Sequence, residues 1–181
     1  MTARIAIDMD GVLSDSFDYW QKIAHREGVT DPFDHQYNGI YKVRCSDGEI
    51  FANKLFGEYR TEWLQNAQPY TEVKEFIDRL DRNDKIQYWI VTSRGEDTKY
   101  LTVEWLEKHG ITGYEDVIFT GDKTIAPCNC IIEDKIENYQ AYQDKARLAY
   151  LVSRPYNTKY NVNRRVNGLL EVYQDLLQFI D

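Results

Sequence analysis

Two aspartates, Asp8 and Asp10, stand at the end of an apolar run near the N-terminus, within residues 4–13. A short apolar run that stops at a glycine, here Gly11, is typical of a buried strand followed by a tight turn. Residues i and i+2 of a strand point to the same side, so both carboxylates are expected at its carboxyl end, where α/β sheets bind ligands. Two buried carboxylates repel each other and are costly without a partner. The spacing therefore predicts a positive group between them.

A second candidate group closes the apolar run 86–92, which ends at Thr92 and is followed by Ser93. Their hydroxyl and main-chain donors can hold an oxyanion, although such residues also commonly cap the next helix. Lys123 lies just beyond another apolar run, 116–120, and beside a glycine-containing turn. In isolation, a lysine in this position is more often an ordinary solvated side chain. Neither the hydroxyl residues nor the lysine indicates a functional site unless the other predicted site residues are considered with it.

Glu133 and Asp134 close a further apolar run, 130–133. The residues before them have the character of a fully buried strand, so surface charge is a poor explanation for this acidic pair. The chain thus presents an acid pair, a hydroxyl, a lysine and a second acid pair, each at the carboxyl end of a predicted strand. This order is more informative than any one of its four parts.

These residues need a sheet to bring them together, and the sequence predicts one. Four β-prone runs follow the first strand, at residues 86–92, 116–120, 130–133 and 149–153. Helical patterns lie between most of them, with apolar stripes within residues 73–80, 101–106 and 169–177. Strands that alternate with helices imply an α/β fold, a Rossmann-like parallel sheet with helices on both faces.

Residues 14–69 interrupt this alternation, because they are far longer than a single crossover needs. They contain a predicted helix at 15–26, a turn-rich stretch at 28–39 and another helix at 50–65. We interpret residues 14–69 as a small helical cap, inserted after the first strand of a core made of residues 1–13 and 70–181. Most of its many aromatic side chains are expected to form its own core, while one or two cover a substrate and exclude water.

The composition limits the classes of function. A chain of 181 residues fits one domain with an insertion. Its net charge of −8 argues against a surface for extended nucleic acid, whose binding requires many phosphates to be neutralised. Three cysteines do not form a disulfide framework, and neither a secretory leader nor an apolar run of bilayer length is visible. We therefore expect a soluble, cytoplasmic protein that does not contact membranes.

Together, the four motifs resemble those of the haloacid dehalogenase superfamily of phosphotransferases. The first motif of that superfamily, Asp-x-Asp-Gly-Val/Thr-Leu, is matched by residues 8–13. Its hydroxyl, lysine and acidic-pair motifs are matched, in the same order, by Thr92, Lys123 and the pair Glu133 and Asp134. The motifs span most of the chain, and the resemblance implies the α/β fold expected above.

A narrower resemblance points to the 5′(3′)-deoxyribonucleotidase family and its bacterial and phage relatives. The strings IDMDGVL, VTS, DKT and IIEDK look like those of that family, and residues 152–157 are similar to a late Arg-Pro-Tyr-Asn segment. The family also carries a helical cap between its first and second motifs. Glu133 departs from the pattern, since relatives commonly have an aspartate there, and its longer side chain is expected to change the metal or water geometry slightly.

The resemblance implies a magnesium site. A Mg²⁺ ion would be held by Asp8 and Asp134 through their carboxylates and by Asp10 through its main-chain carbonyl. The resemblance also implies that Asp8 attacks phosphorus and forms an aspartyl-phosphate. The side chain of Asp10 then protonates the leaving group and later activates water.

The same resemblance implies a set of residues that hold the phosphoryl group. Thr92, Ser93 and Lys123 would bind the phosphoryl oxygens as negative charge develops on them. Lys123 also offsets the charge of the acids. Glu133 is expected to stand outside the metal ligands and to orient Lys123 or a metal-bound water.

The expected function is Mg²⁺-dependent hydrolysis of a small phosphate monoester, with nucleoside or deoxynucleoside monophosphates as the leading substrates. Two alternatives stay open. The first is the same chemistry on sugar phosphates or on nucleic-acid 3′-phosphate ends, and the second is a non-catalytic module that keeps the fold. Retention of all the motif residues weighs against the non-catalytic alternative. Assembly into a homodimer is left open.

Other conspicuous residues do not indicate a second site. Cys128 and Cys130 are interpreted as structural, because one other cysteine is present and no histidine is near them in sequence. His109 is expected at a helix C-terminus, where positive charge is favourable. Four arginines remain candidates for contacting substrate: Arg44, Arg60, Arg94 and Arg154.

Overall fold

A single parallel sheet organises the structure, a computed structural model that describes residues 2–29 and 43–180. Within these residues the strands are β1 (Ala3–Ile7), β2 (Ile86–Thr92), β3 (Val117–Phe119), β4 (Cys130–Glu133), β5 (Leu148–Val152) and β6 (Arg165–Val166). They lie in the order β3-β2-β1-β4-β5-β6, and all neighbouring pairs are parallel. The strand that carries the first motif is therefore flanked by β2 and β4.

The α/β architecture expected from the sequence is confirmed, and all five predicted strands are present with small shifts at their ends. The sequence does not predict β6, because two residues cannot display the alternation that identifies a strand. This strand forms where Arg165 and Val166 pair with Leu151 and Val152 of β5.

Helices cover both faces of the sheet. They are α1 (Ser16–Arg26), α2 (Phe51–Phe56), α3 (Arg60–Asn66), α4 (Val73–Asp81), α5 (Lys99–Lys108), α6 (Ile136–Asp144) and α7 (Leu169–Ile180). Ile5 and Ile7 belong to the apolar cluster of α4, α5 and α7, whereas Ala6 belongs to that of α6. This alternation is what a strand buried on both faces requires. No helix in the described ranges is both long and apolar enough to cross a lipid bilayer.

The segment between β1 and α4 leaves the sheet and returns to it at the same point. Ser14 forms an antiparallel bridge with Pro69, and the Tyr70 amide donates to the Leu13 carbonyl at 3.1 Å. Between these ends, α1, α2 and α3 pack around an apolar cluster of their own. Both ends of the insertion thus join the sheet at one place, and its helices have a core of their own. The insertion also packs on the core domain elsewhere, since α3 contacts α5 and the Trp105 indole donates to the Ala67 carbonyl at 2.6 Å.

The helices predicted for this insertion are partly correct. The helix predicted at 15–26 is present as α1, and the Asp15 side chain caps it by accepting from the Asp18 amide. The single helix predicted at 50–65 is wrong, because the chain forms α2 and α3 instead. They are separated at Gly57, whose backbone (φ −104°, ψ −88°) is not helical. The turn-rich stretch predicted at 28–39 lies largely outside the described residues.

Candidate active site

The carboxyl ends of β1, β2 and β4 meet at one edge of the sheet, and each brings a predicted site residue there. Asp8 follows β1, Thr92 ends β2, and Glu133 ends β4 and is followed by Asp134. Because β1 lies between β2 and β4, these residues are neighbours in space. All four are buried, with exposed fractions between 0% and 4%. Strand order therefore brings residues that are distant in sequence into one site.

Lys123 reaches these acids from the 3₁₀ turn Lys123–Ile125, which follows β3. Its Nζ lies 2.5 Å from Asp8 Oδ1 and 2.7 Å from Glu133 Oε2. The Tyr142 hydroxyl donates to the Lys123 carbonyl at 3.0 Å, which fixes the main chain of the turn. With 2% of its surface exposed, Lys123 is not an ordinary solvated lysine. Asp8 therefore has a cationic partner within the protein itself.

Negative charge exceeds positive charge in this buried cluster. Burial and the neighbouring Glu133 raise the pKa of Asp8, although Lys123 acts in the opposite direction. Burial and the neighbouring carboxylates of Glu133 and Asp8 raise the pKa of Asp134 well above its usual value. Burial opposes the charged forms of Lys123 and Glu133. Attraction to Asp8 and Glu133 outweighs it for the lysine, whose pKa rises, and attraction to Lys123 together with the hydrogen bond from Asp134 outweighs it for the glutamate, whose pKa falls. Three carboxylates beside one lysine leave room for a further positive charge.

A divalent cation fits this cluster. Carboxylate oxygens of Asp8, Glu133 and Asp134 lie within 4.8 Å of one another. Asp134 Oδ1 is buried and accepts no hydrogen bond from any described residue. Gly11 (φ +88°) permits the close approach of Asp134, because a Cβ at this position would collide with its carboxylate. Hard oxygen ligands of this kind suit Mg²⁺, the ion that the resemblance implies.

Glu133 differs from the other two acids because both of its oxygens are already used. Oε2 accepts from Lys123 Nζ, and Oε1 accepts from the main-chain amides of Asp134 and Lys135 at 3.2 and 3.0 Å. These bonds turn the glutamate toward protein donors. Asp8 and Asp134 are left as the carboxylates of this cluster that are open to a cation.

Asp10 is paired with an arginine for which the sequence predicts no specific partner. Arg94 Nε donates to Asp10 Oδ2 at 2.9 Å, and Arg94 Nη2 donates to Oδ1 at 2.7 Å. The two parallel bonds form a bidentate fork. The Asp10 side chain remains 23% exposed. The two aspartates of the first motif thus have different cationic partners, Lys123 for Asp8 and Arg94 for Asp10.

A cavity of about 450 Å³ opens at this edge of the sheet, between the sheet and the insertion. On the sheet side it is lined by four of the predicted site residues, Asp8, Asp10, Thr92 and Ser93. On the insertion side it is lined by aromatic rings, those of Trp20, Phe56 and Trp63. The cavity therefore has a polar end next to the acids and an aromatic wall opposite them.

The connection between β5 and β6 also holds the site, although the sequence does not reveal its contacts. Tyr156 donates its hydroxyl hydrogen bond to Asp134 Oδ2, and Asn157 Nδ2 donates to the Asp134 carbonyl at 2.7 Å. Arg154 Nε donates to the Gly11 carbonyl at 2.6 Å. One short segment thus contacts both the acid that follows β4 and the glycine of the first motif. The similarity of residues 152–157 to a family segment is the signal that points to it.

Two of the remaining arginines have different surroundings. Arg60 lines the cavity and forms a fork with Asp97, with N–O distances of 2.6 and 2.9 Å. Arg44 instead donates to the Gly48 carbonyl in an exposed turn. Only Arg60 and Arg94, among the four candidate arginines, line the cavity.

The cysteines and His109 lie outside this chemistry. Burial raises the pKa of the Cys128 thiol to about 12, and no cysteine belongs to the group of metal-type ligands found among the described residues. His109 ends α5 as expected. Its ring packs on Trp105 with centroids 4.4 Å apart, and burial lowers its pKa, which acts against the positive charge that a helix end favours.

Comparison with known sequences identifies the family. The profile of the family described as 5′ nucleotidase, deoxy (pyrimidine), cytosolic type C protein (NT5C) matches residues 2–179. A 5′(3′)-deoxyribonucleotidase of Bacillus subtilis (strain 168) is 24% identical over 181 residues, which cover 98% of this chain and 100% of the relative. A 5′(3′)-deoxyribonucleotidase of Bacillus phage SPbeta matches with the same identity and coverage.

Solved structures agree on the fold. A haloacid dehalogenase-like hydrolase from Streptococcus pneumoniae has a TM-score of 0.67 at 13% identity, covering 97% of this chain and 98% of its own. The haloacid dehalogenase hydrolase YfnB of Bacillus subtilis, solved bound to magnesium, has a TM-score of 0.64 at 14% identity, covering 97% and 99%. The sheet is thus of the haloacid dehalogenase type. The profile match over nearly the whole chain shows that this protein belongs to the cytosolic type C 5′ nucleotidase family and is a nucleotidase phosphatase.

Proposed function

We propose that the protein hydrolyses nucleoside monophosphates, deoxyribonucleotides in particular, through an aspartyl-phosphate formed on Asp8. The observation that carries this proposal is the position of Asp8, a buried carboxylate that lines the cavity. Its Oδ1 contacts Lys123 Nζ at 2.5 Å and accepts from the Met9 amide at 2.7 Å. These contacts hold the carboxylate in one orientation, as a nucleophile requires.

The proposed reaction has two steps. In the first, an Asp8 oxygen bonds to phosphorus while the bond to the leaving oxygen breaks, and Asp10 supplies the proton to that oxygen. In the second, Asp10 takes a proton from water as the water oxygen attacks phosphorus, which releases phosphate and regenerates Asp8. Asp10 is suited to both transfers because its side chain lines the same cavity as Asp8.

Three side chains are proposed to bind the phosphoryl oxygens. Thr92 Oγ1 accepts from the Arg94 amide at 3.1 Å, which leaves the hydroxyl hydrogen for a ligand. Ser93 is exposed beside it in the cavity. Lys123 Nζ contacts Asp8, and Glu133 orients this lysine through a second contact with the same nitrogen. Donors held in this way stabilise charge that develops during phosphoryl transfer.

Mg²⁺ is the cofactor that this cluster supports. The carboxylates of Asp8 and Asp134 and the main-chain carbonyl of Asp10 would hold it. When bound, the ion supplies positive charge to the phosphoryl oxygens and offsets the repulsion among the acids. The buried Asp134 Oδ1, without a partner among the described residues, supports this assignment.

The nucleoside is proposed to lie against the aromatic wall of the cavity. Trp20 packs edge-to-face on Trp63 and on Phe56, with centroid distances of 5.3 and 5.6 Å. Such a wall suits a planar base, whereas the ring of a sugar phosphate is neither planar nor aromatic and offers no π-face to stack. The Bacillus relatives named as deoxyribonucleotidases support the same substrate class. We accordingly propose residues 14–69 as the substrate-covering cap.

The remaining residues, 1–13 and 70–181, would form the catalytic core. A cytoplasmic location is a further proposal, which fractionation of cells tests. Assembly into a homodimer stays open, and sedimentation of the purified protein decides it.

A panel of phosphate monoesters tests the function. With Mg²⁺, we expect the fastest phosphate release from deoxynucleoside 5′- and 3′-monophosphates, with sugar phosphates and 3′-phosphorylated oligonucleotides slower. EDTA should stop the reaction, and added Mg²⁺ should restore it. If phosphate release is fastest from sugar phosphates, these are the substrates and the nucleotide assignment is wrong. No release from any ester would favour the non-catalytic module instead.

A further inference from the structure

Arg94 is held by contacts on several sides. Besides its fork to Asp10, its Nη1 donates to Thr102 Oγ1 at 3.3 Å, and its main-chain amide donates to Thr92 Oγ1 at 3.1 Å. The guanidinium carbon lies 5.5 Å from the centroid of the Trp63 ring, within the range of a cation–π contact. The Arg94 side chain is only 3% exposed. It is therefore fixed at once by the end of β2, by α5 and by the insertion.

This immobile fork determines the orientation of Asp10. A guanidinium that binds both oxygens of a carboxylate fixes the plane of that carboxylate as well as its position. Each carboxylate oxygen has about two acceptor directions, and the fork uses one on each. Asp10 also lines the cavity, so the remaining directions can serve a group bound there.

We propose that Arg94 is the positioning residue for Asp10, aiming its carboxyl group at the leaving oxygen and then at the attacking water. This inference rests on the proposed function, in which Asp10 moves a proton in both steps. Proton transfer requires the two heavy atoms to lie roughly 2.6–3.2 Å apart, so a carboxylate released from its fork loses the geometry needed for each transfer. Arg94 itself transfers no proton.

The test compares two leaving groups in Arg94→Lys, which keeps a positive charge and removes the fork. A deoxynucleoside leaves as an alkoxide that needs a proton, whereas p-nitrophenol leaves as a stable phenolate that needs none. We expect the first-turnover release of deoxynucleoside to fall by about 10²-fold, and that of p-nitrophenol to change by less than about threefold. Later turnovers of both substrates should slow, because attack by water also uses Asp10.

Arg60→Lys is the matched control. Arg60 lines the same cavity and forms the same kind of fork, to Asp97. Its replacement should change the first-turnover rates of both substrates by the same factor, because it displaces no proton donor. Thr102→Val, which removes only the Nη1 bond of Arg94, is a milder second variant. It should also slow the first-turnover release of deoxynucleoside more than that of p-nitrophenol, but by a smaller factor than Arg94→Lys. Circular dichroism checks the folding of each.

The outcomes separate this inference from the function on which it rests. The positioning role is supported if the loss of first-turnover rate depends on the leaving group in the Arg94 and Thr102 variants but not in Arg60→Lys. Equal losses for both leaving groups in Arg94→Lys and Thr102→Val would overturn it. If Arg94→Lys does not fold, Thr102→Val decides by the same comparison. Absence of any release by the unaltered protein would instead contradict the proposed function.

Discussion

Tyr156 and Asp134 form a hydrogen bond that makes the two oxygens of the Asp134 carboxylate unequal. Oδ2 accepts from the Tyr156 hydroxyl, whereas Oδ1 is buried and has no partner among the described residues. Burial and the nearby carboxylate raise the pKa of Tyr156 well above its usual value, so the phenol stays the donor at neutral pH. One oxygen is thereby tied to the protein, and the other is left for a cation.

Tyr156→Phe removes only this hydroxyl and should weaken divalent-cation binding by about tenfold or more, as is typical when a ligand loses the group that orients it. Titration with Mn²⁺ followed by electron paramagnetic resonance measures binding without turnover. Tyr150→Phe is the matched control, because the Tyr150 hydroxyl also donates to a carboxylate, Asp175 Oδ2 at 2.7 Å, outside the cavity. Equal Mn²⁺ affinities in the two variants would contradict the orienting role of Tyr156.

Asp8→Asn removes the attacking oxyanion and keeps the volume of the side chain. The amide oxygen can still accept the contacts that Lys123 and the Met9 amide make with Asp8 Oδ1, so we expect the fold to be retained. Turnover should fall by about 10⁴-fold or more, as with the loss of other covalent nucleophiles. Phosphate release and thermal unfolding are measured on one preparation. A folded variant that keeps turnover within about tenfold of the original would exclude Asp8 as the nucleophile.

Lys123→Met tests how far the buried ion pairs stabilise the fold. The change leaves the buried Glu133 carboxylate without its lysine, so the free energy of unfolding should fall by about 3–5 kcal/mol. Urea denaturation in the presence of EDTA measures the loss. Adding Glu133→Gln should recover part of it, because the buried charge is then removed.

Lys22→Met is the control for this experiment. It breaks the exposed pair with Asp18, whose side chains are 62% and 54% exposed, and should cost less than about 1 kcal/mol. A loss in Lys123→Met no larger than in Lys22→Met would show that burial of the pair is unimportant for stability.

His109 contributes a pH dependence of stability that is separate from catalysis. Burial lowers its pKa below the usual 6.5, so the unfolded chain binds the proton more tightly than the folded one. The stability that this residue contributes is present above pH 6.5 and is lost as the pH falls through the lower folded-state pKa. His109→Gln should therefore reduce the decline in the free energy of unfolding below this pH, measured by urea denaturation at several pH values.

The same replacement at His25, on the exposed side of α1, controls for the general effect of removing a histidine. If the decline is as steep in His109→Gln as in the original protein, burial of His109 is not its cause.

The ends of the strands were predictable because apolar runs buried on both faces stop where the chain turns. This holds for Thr92 and Asp134, whose place at the sheet edge follows from the length of the preceding run. Lys123 is different, because its turn follows β3, which is separated from β1 by β2. Its contact with Asp8 depends on this turn packing against α6, where the Tyr142 hydroxyl donates to the Lys123 carbonyl, and no local pattern predicts such a contact.

The partners of Arg94 and Tyr156 were not predictable from the sequence. Asp10 lies 84 residues from Arg94, and Asp134 lies 22 residues from Tyr156. At such separations the fold decides the pairing, since a polar side chain after a strand has many acidic residues within reach. The same reason explains His109, whose helix-end position is a local property while its burial depends on tertiary packing.

The insertion leaves the sheet and returns to it at one place, so its size is not set by the sheet. Ser14 and Pro69 are bridged directly, so the chain between them is a loop whose ends the sheet already holds together. The entropy of closing a loop grows only slowly with its length, so an insertion of another size would leave the register of β1 unchanged. A graft at these two residues would replace the aromatic wall of the cavity. It would have to supply new partners for Arg94, which lies over Trp63, and for Asp97, which pairs with Arg60, so selectivity and the orientation of Asp10 would change together.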